Sequence, residues 1–183
     1  MEVKIPFWTV QPPKGMLKGD YYRIEERFPP YYKGVEGEFP ADPGHLGIVE
    51  VVKNGDKMVF VELNEIKLSQ SIAVAQRASK YSDRDVYVNC LGDLEIRKAG
   101  VTLTMGMEYV EEQMMRRQSL LGEFDMLASA SGSVKKLVKI AAKLEEQLSK
   151  PSDMKLYSYT EDYGYGLTGW LKVVVKDGRI ISC

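Results

Sequence analysis

Three hydroxyl side chains at alternate positions, Ser129, Ser131 and Ser133, stand among the small residues Ala130 and Gly132, just ahead of the most regular amphipathic stretch in the chain. Asp125 lies four residues before Ser129. At the start of a helix this composition suits an anion. The first N–H groups have no partner within the helix and carry positive partial charge; small residues let a phosphate approach them, and serine hydroxyls add donors. The same residues suit plain capping by Ser131 or Ser133, which needs no ligand.

Other chemistry is thinly supplied. His45 is the single histidine, so neither a Ser-His-Asp nor a Cys-His arrangement can be built without it, and no histidine cluster exists for a metal. It follows Pro43 and Gly44 and is expected to be a solvated loop histidine. Cys90 and Cys183 are far apart and form no CxxC pair, so neither a disulfide framework nor a zinc site is expected. Glu108, Glu111 and Glu112 cluster on a helical stretch and read as a solvated face; no carboxylate pair has a spacing that demands acid–base work. Trp170 and the tyrosines at 157, 159, 163 and 165 suit strand packing or stacking on a flat ring.

With 25 basic against 26 acidic residues, the chain lacks the basic excess that nucleic-acid binding needs. No apolar run approaches the roughly 20 residues of a membrane span. The beginning, Met-Glu-Val-Lys-Ile-Pro-Phe-Trp, has no charged-then-apolar export pattern. The compartment stays open.

The elements that would position these residues follow from pattern. Residues 1–19 read as an irregular arm, 21–28 as a strand and 29–46 as a loop with four prolines and three glycines. Two β-branched runs, 47–52 and 57–63, flank Asn54-Gly55, which predicts an antiparallel hairpin turning on those two residues. Helical spacing predicts helices over 69–80, 102–117 and 133–148. The second buries Leu103, Met107, Val110 and Met114; the third buries Val134, Leu137, Val138, Ala141, Leu144 and Leu148. Lys135, Lys136, Lys139 and Lys143 read as the third helix's solvated face. A short strand is expected over 86–90. Pro151 ends the last helix, and strand patterns resume from 155.

Those later strands repeat the earlier ones. Both units read as strand, Gly-rich loop, strand, then Lys-Asn-Gly or Lys-Asp-Gly turn and strand. The fold class expected is α+β: an antiparallel sheet covered by helices, with a partial second copy of the strand unit. The division expected is an arm over 1–19, a domain over 20–150 and the partial repeat over 151–183. The repeat needs a sheet to join, in its own chain or in a neighbour's, so the strands of 155–182 are a possible homo-oligomer contact.

At the serine-rich loop the chain resembles the FMN-binding domain family, whose members include the flavin-carrying subunits of sodium-pumping quinone reductases and modules of bacterial surface redox lipoproteins. In that family an acidic Asp-x-x-Ser-Gly-Ala-Thr-x-Ser motif follows a strand, a turn and a strand, and opens a helix. Asp125 matches the acidic position, Ala130 the alanine, Ser131 the threonine and Ser133 the final serine, while Ala128 and Ser129 replace the family's serine and glycine. The resemblance covers roughly residues 20–150. It implies an FMN-binding electron-transfer module with the phosphate on Ser129, Ser131 and Ser133 and the loop oriented by Asp125. Noncovalent binding is the mode expected, because a modifying enzyme reads the whole motif. The implied partner is a redox protein or complex, and related modules are often outside the cytoplasmic membrane. The alternative is a domain of this kind that holds no flavin and serves as a structural or interaction module.

Overall fold

The structure, a computed structural model, describes residues 14–28, 45–67, 103–127, 131–165 and 167–183. In chain order the elements are strands β1 (Gly15–Phe28), β2 (His45–Asn54) and β3 (Lys57–Lys67), then helices α1 (Leu103–Arg117) and α2 (Ser131–Glu145). A 3-10 turn (Glu146–Ser149) follows, then strands β4 (Met154–Gly164), β5 (Leu167–Lys176) and β6 (Arg179–Ser182). The helix expected over 69–80 and the strand expected over 86–90 lie outside the described residues.

The hairpin of β2 and β3 forms, but its turn sits one residue later than the sequence pattern implies. Asn54 pairs with Lys57 as the last strand residue, and Gly55-Asp56 make the turn, with Gly55 at φ +61. A register shift beside Val52 and Lys53 leaves Val59 as an extra residue on β3. At the other hairpin Asp177 and Gly178 both have positive φ, +50 and +73, as a two-residue turn matched to strand twist requires.

The described strands form one antiparallel α+β sheet in the order β3-β2-β1-β4-β5-β6. Its centre is the pairing of β1 with β4, from Gly15↔Thr160 to Asp20↔Lys155. Residues 15–19, expected in an irregular arm, are strand because β4 supplies their partners; β2 pairs with β1 only from Asp20 onward.

Both described helices lie on one face, and over one half of it. α1 packs on β3, and α2 on β1 and β2. Met107, Val110 and Met114 of α1 meet Val134, Leu137, Ile140, Ala141 and Leu144 of α2 above Tyr22, Val49, Val51, Val61 and Leu63. Ile140 completes the α2 stripe, whereas Val138, expected inside, is half-buried. Gly47 lets α2 settle: a Cβ there would come within 2.6 Å of Phe28 and 2.8 Å of Ile140. The turn after α2 is anchored by Lys53, whose Nζ donates to the Leu148 carbonyl at 2.8 Å, and by Tyr22, whose hydroxyl donates to the Lys150 carbonyl at 2.7 Å.

The face away from these helices carries a second core of Tyr21, Val52, Leu156 and Val174, with Leu17, Phe60 and Met154 against it. β5 is separated from β2 by β4 and β1, yet their side chains meet here. The sheet therefore curls around this face.

Candidate functional site

The sequence-predicted residues divide on inspection. Ser129 and Ala130 lie outside the described residues. Asp125 is exposed, and its backbone rather than its carboxylate is held. Gln113, buried on α1, accepts from the Asp125 N–H at 3.0 Å and donates to the Asp125 carbonyl at 2.9 Å. Ser131 opens α2 and is half-buried, Gly132 is exposed, and Ser133 is buried. A Cβ added at Gly132 would meet nothing within 4 Å, so the helix start is uncrowded there. The first turn has no acidic residue.

The start of α2 lies over one end of the sheet. Lys136 places its ammonium 5.1 Å from the centre of the Phe28 ring, and Phe28 pairs with His45 across β1 and β2. His45 is not the solvated loop residue that Pro43 and Gly44 imply. It begins β2, is buried, and holds its Nδ1 2.6 Å from Oε1 of buried Glu65. Pairing of β2 with both β1 and β3 extends the strand back to His45, which local sequence does not show. Glu111 departs from expectation too. It is buried, and its Oε1 accepts the Leu63 N–H at 2.6 Å; Glu112 is exposed as expected.

A second group of polar residues, absent from the sequence reading, sits on the inner face of the curled sheet. Glu50 and Glu62 are directly opposite across β2 and β3, and both are buried. Arg23, opposite Glu50 on β1, brings its Nε to 3.5 Å from Glu50 Oε1. Buried Tyr21 donates its hydroxyl to the same carboxylate. Lys172 of β5 reaches over the curl to form an ion pair with Glu50 Oε2, and stands 3.9 Å from Glu62 Oε2. Its ammonium is 5.8 Å from the Tyr21 ring centre and 5.6 Å from that of Trp170.

Burial opposes the charged form of Glu50, but Lys172, Tyr21 and Arg23 outweigh it and hold the carboxyl below the ordinary range. Burial, and then the charge and hydrogen bond of Glu50, push the Tyr21 phenol well above its ordinary value. Glu50 is thus kept ionised and Tyr21 kept protonated, an arrangement that ties strands together and leaves neither poised to exchange protons near neutral pH.

No family model matches this chain, and no curated protein matches it. Among solved structures, the CPE2226 protein from Clostridium perfringens is similar at 17% identity over 73% of this chain and 90% of that one, with a TM-score of 0.46.

Among the described residues no group of three or more His, Cys, Asp or Glu could hold a metal ion, and no helix is long and apolar enough to cross a membrane. The inner cluster did leave a signal in the sequence. Glu50, Glu62 and Lys172 each interrupt a β-branched or aromatic strand run. A charge in such a run reads as an outward residue until the far wall of the curl is known.

A third surface needs no charge. On the helix-bearing face, beyond the reach of α1 and α2, Met16, Tyr159 and Leu171 stand side by side across β1, β4 and β5. They are 73%, 47% and 56% exposed, and Tyr157 beside them is 50% exposed. The tyrosines expected to pack within strands are thus on an open shelf.

Proposed function

We propose that this chain is an interaction module that assembles through its C-terminal strand unit. The observation that carries the reading is the open shelf of Met16, Tyr157, Tyr159 and Leu171, contiguous apolar surface of a kind that marks association sites. We also read β4–β6 as a second copy of the β1–β3 unit. Each is an antiparallel meander with a two-residue turn before its last strand, and the two first strands pair with each other. In this reading the first copy gained helices over its face and the second kept that face for a partner. Light scattering on the wild type and on the double variant Tyr159→Lys, Leu171→Lys tests it. The expected result is an associating wild type and a monomeric variant that melts like the wild type at concentrations where the wild type is dissociated. A wild type that never associates, or a variant that melts far below the dissociated wild type, overturns the reading.

A second reading is favoured by the start of α2. Its first turn carries no acid, offers Ser131 and the open Gly132, and is followed by Lys135 and Lys136. That setting supports noncovalent binding of a flavin mononucleotide through its phosphate, for electron transfer to a redox partner. Titration of FMN into wild type and Ser131→Glu by flavin fluorescence checks it. Like charges about 4 Å apart repel by on the order of 1–4 kcal/mol at a surface, so the variant should bind at least about fivefold more weakly. Equal affinities, or no binding by the wild type at millimolar FMN, remove this reading.

A further inference from the structure

The turn between β2 and β3 brings together two groups that react with each other. Asn54 is the last residue of β2 and is exposed, and its side-chain amide makes no hydrogen bond among the described residues. Gly55 follows at φ +61, and a Cβ there would meet nothing within 4 Å. Among the described residues nothing accepts the Gly55 N–H. Asn54 is also the chain's sole asparagine followed by glycine. Asn64 precedes Glu65 and is buried in β3, and Asn89 precedes Cys90. A side chain on the following residue crowds the approach to its backbone nitrogen, and glycine has none.

We propose that Asn54 converts spontaneously to aspartate and isoaspartate, through a cyclic imide with the Gly55 nitrogen, and that the isoaspartate form loosens this turn. The reaction consumes only water. Hydroxide takes the Gly55 amide proton, and the nitrogen bonds to Cγ of Asn54. The bond from Cγ to Nδ2 breaks, and ammonia leaves with a proton from water. Water then opens the five-membered imide at one of its two carbonyls. Opening at the side-chain carbonyl restores the main chain and leaves an aspartate. Opening at the main-chain carbonyl leaves the chain running through Cβ and Cγ, with the α-carboxylate as a branch.

The fold sets the pace. Ring closure requires Asn54 to rotate out of its extended backbone conformation, which gives up its pairing with Lys57. That pair is the last of the hairpin, where a strand frays at little cost. The isoaspartate form gains one carbon in the main chain before Gly55, so the pair does not re-form in register. Lys53, the preceding residue, holds the Leu148 carbonyl at 2.8 Å, so the change reaches the turn after α2.

The test ages the full chain in warm, mildly alkaline buffer and then cuts it after glutamate in mild acid, where the reaction stops. Chromatography with mass spectrometry follows the peptide 51–62, beside a synthetic peptide of the same residues aged alone. Both should gain an oxygen in place of an NH and split into two forms. The folded chain should react within about tenfold of the free peptide, equivalent to an opening cost below about 1.4 kcal/mol. Asn54→Gln, whose longer side chain would have to close a six-membered ring, should stay unmodified. The aged wild type should melt about 2–4 °C below the fresh protein, the shift of losing one strand pair. Asn54→Asp, and Asn54→Gln aged in the same way, should melt like the fresh wild type. A folded chain whose peptide 51–62 stays unchanged while the free peptide converts overturns the proposal. So does a single product, as direct hydrolysis would give, or an Asn64 or Asn89 that reacts as fast. An aged wild type that melts like the fresh one, or an Asn54→Asp variant that melts as low as the aged chain, overturns the loosening.

Discussion

The β1–β3 half and the β4–β6 half of this sheet are built from the same kind of strand and end in opposite conditions. The first half buries Val49, Val51 and Leu63 completely beneath α1 and α2, and its outer edge is closed by Gln118 and Glu111. The second half leaves Tyr157, Tyr159 and Leu171 open on the same face and its outer edge unpaired among the described residues. Strand sequence alone therefore does not decide whether a face is core or surface. What decides it is whether another element lies on it.

The contrast breaks first in the core. Leu137→Ala removes a fully buried side chain between α2 and the sheet and should cost about 2–5 kcal/mol. Leu171→Ala, on the shelf, should cost less than about 0.5 kcal/mol. Denaturant melts of the two variants measure the gap, and similar losses would mean that the shelf is covered within the monomer.

The link between the halves comes next. Lys172→Met leaves Glu62 without its ammonium neighbour and Glu50 with Arg23 and Tyr21 alone. Breaking a buried pair costs about 3–5 kcal/mol; with the Lys172 side chain 24% exposed, a loss of about 2–3 kcal/mol is expected in thermal or denaturant unfolding. A loss below about 0.5 kcal/mol would show that the ion pair contributes nothing to holding the curl.

A smaller effect is expected at the closed edge. Gln118→Ala forfeits the side-chain bonds to Met58 and should destabilise by about 1 kcal/mol. It also opens β3, so assemblies beyond the wild-type state should appear in light scattering. Unchanged assembly would assign the guarding of that edge to another group.

The smallest effect is expected in acid. The folded-state pKa of Glu50 is depressed below the ordinary carboxylate value of about 4.5. The stability it contributes is therefore complete above that value and is lost as pH falls through the lower folded value. Melting temperatures of the wild type should decline as pH drops below about 4.5. In Lys172→Met the largest cause holding the pKa down is gone, so the Glu50 part of that decline should shrink. Identical acid profiles would mean that Lys172 does not hold the Glu50 charge.

By itself the sequence determined whatever rests on nearest neighbours. Gly55 and Gly178, tolerant of positive φ, placed the two hairpins, to within one residue at the first. The spacing of Met107, Val110 and Met114, and of Val134, Leu137, Ala141 and Leu144, marked the buried stripes of α1 and α2, and Pro151 marked where helix gives way to strand. The serine-rich helix start at Ser131 and Ser133 was legible for the same reason, since a helix terminus is local chemistry. Tertiary structure alone decided what depends on residues distant in the chain. It made residues 15–19 a strand by giving them β4, and drew His45 out of its loop onto Glu65. It turned Glu111 inward to an open N–H of β3, and gathered Glu50, Glu62, Arg23, Tyr21 and Lys172 on one inner face. A buried charge is tolerated only where a partner compensates it, and those partners stand up to 122 residues away along the chain. No local pattern could announce them before the sheet curled.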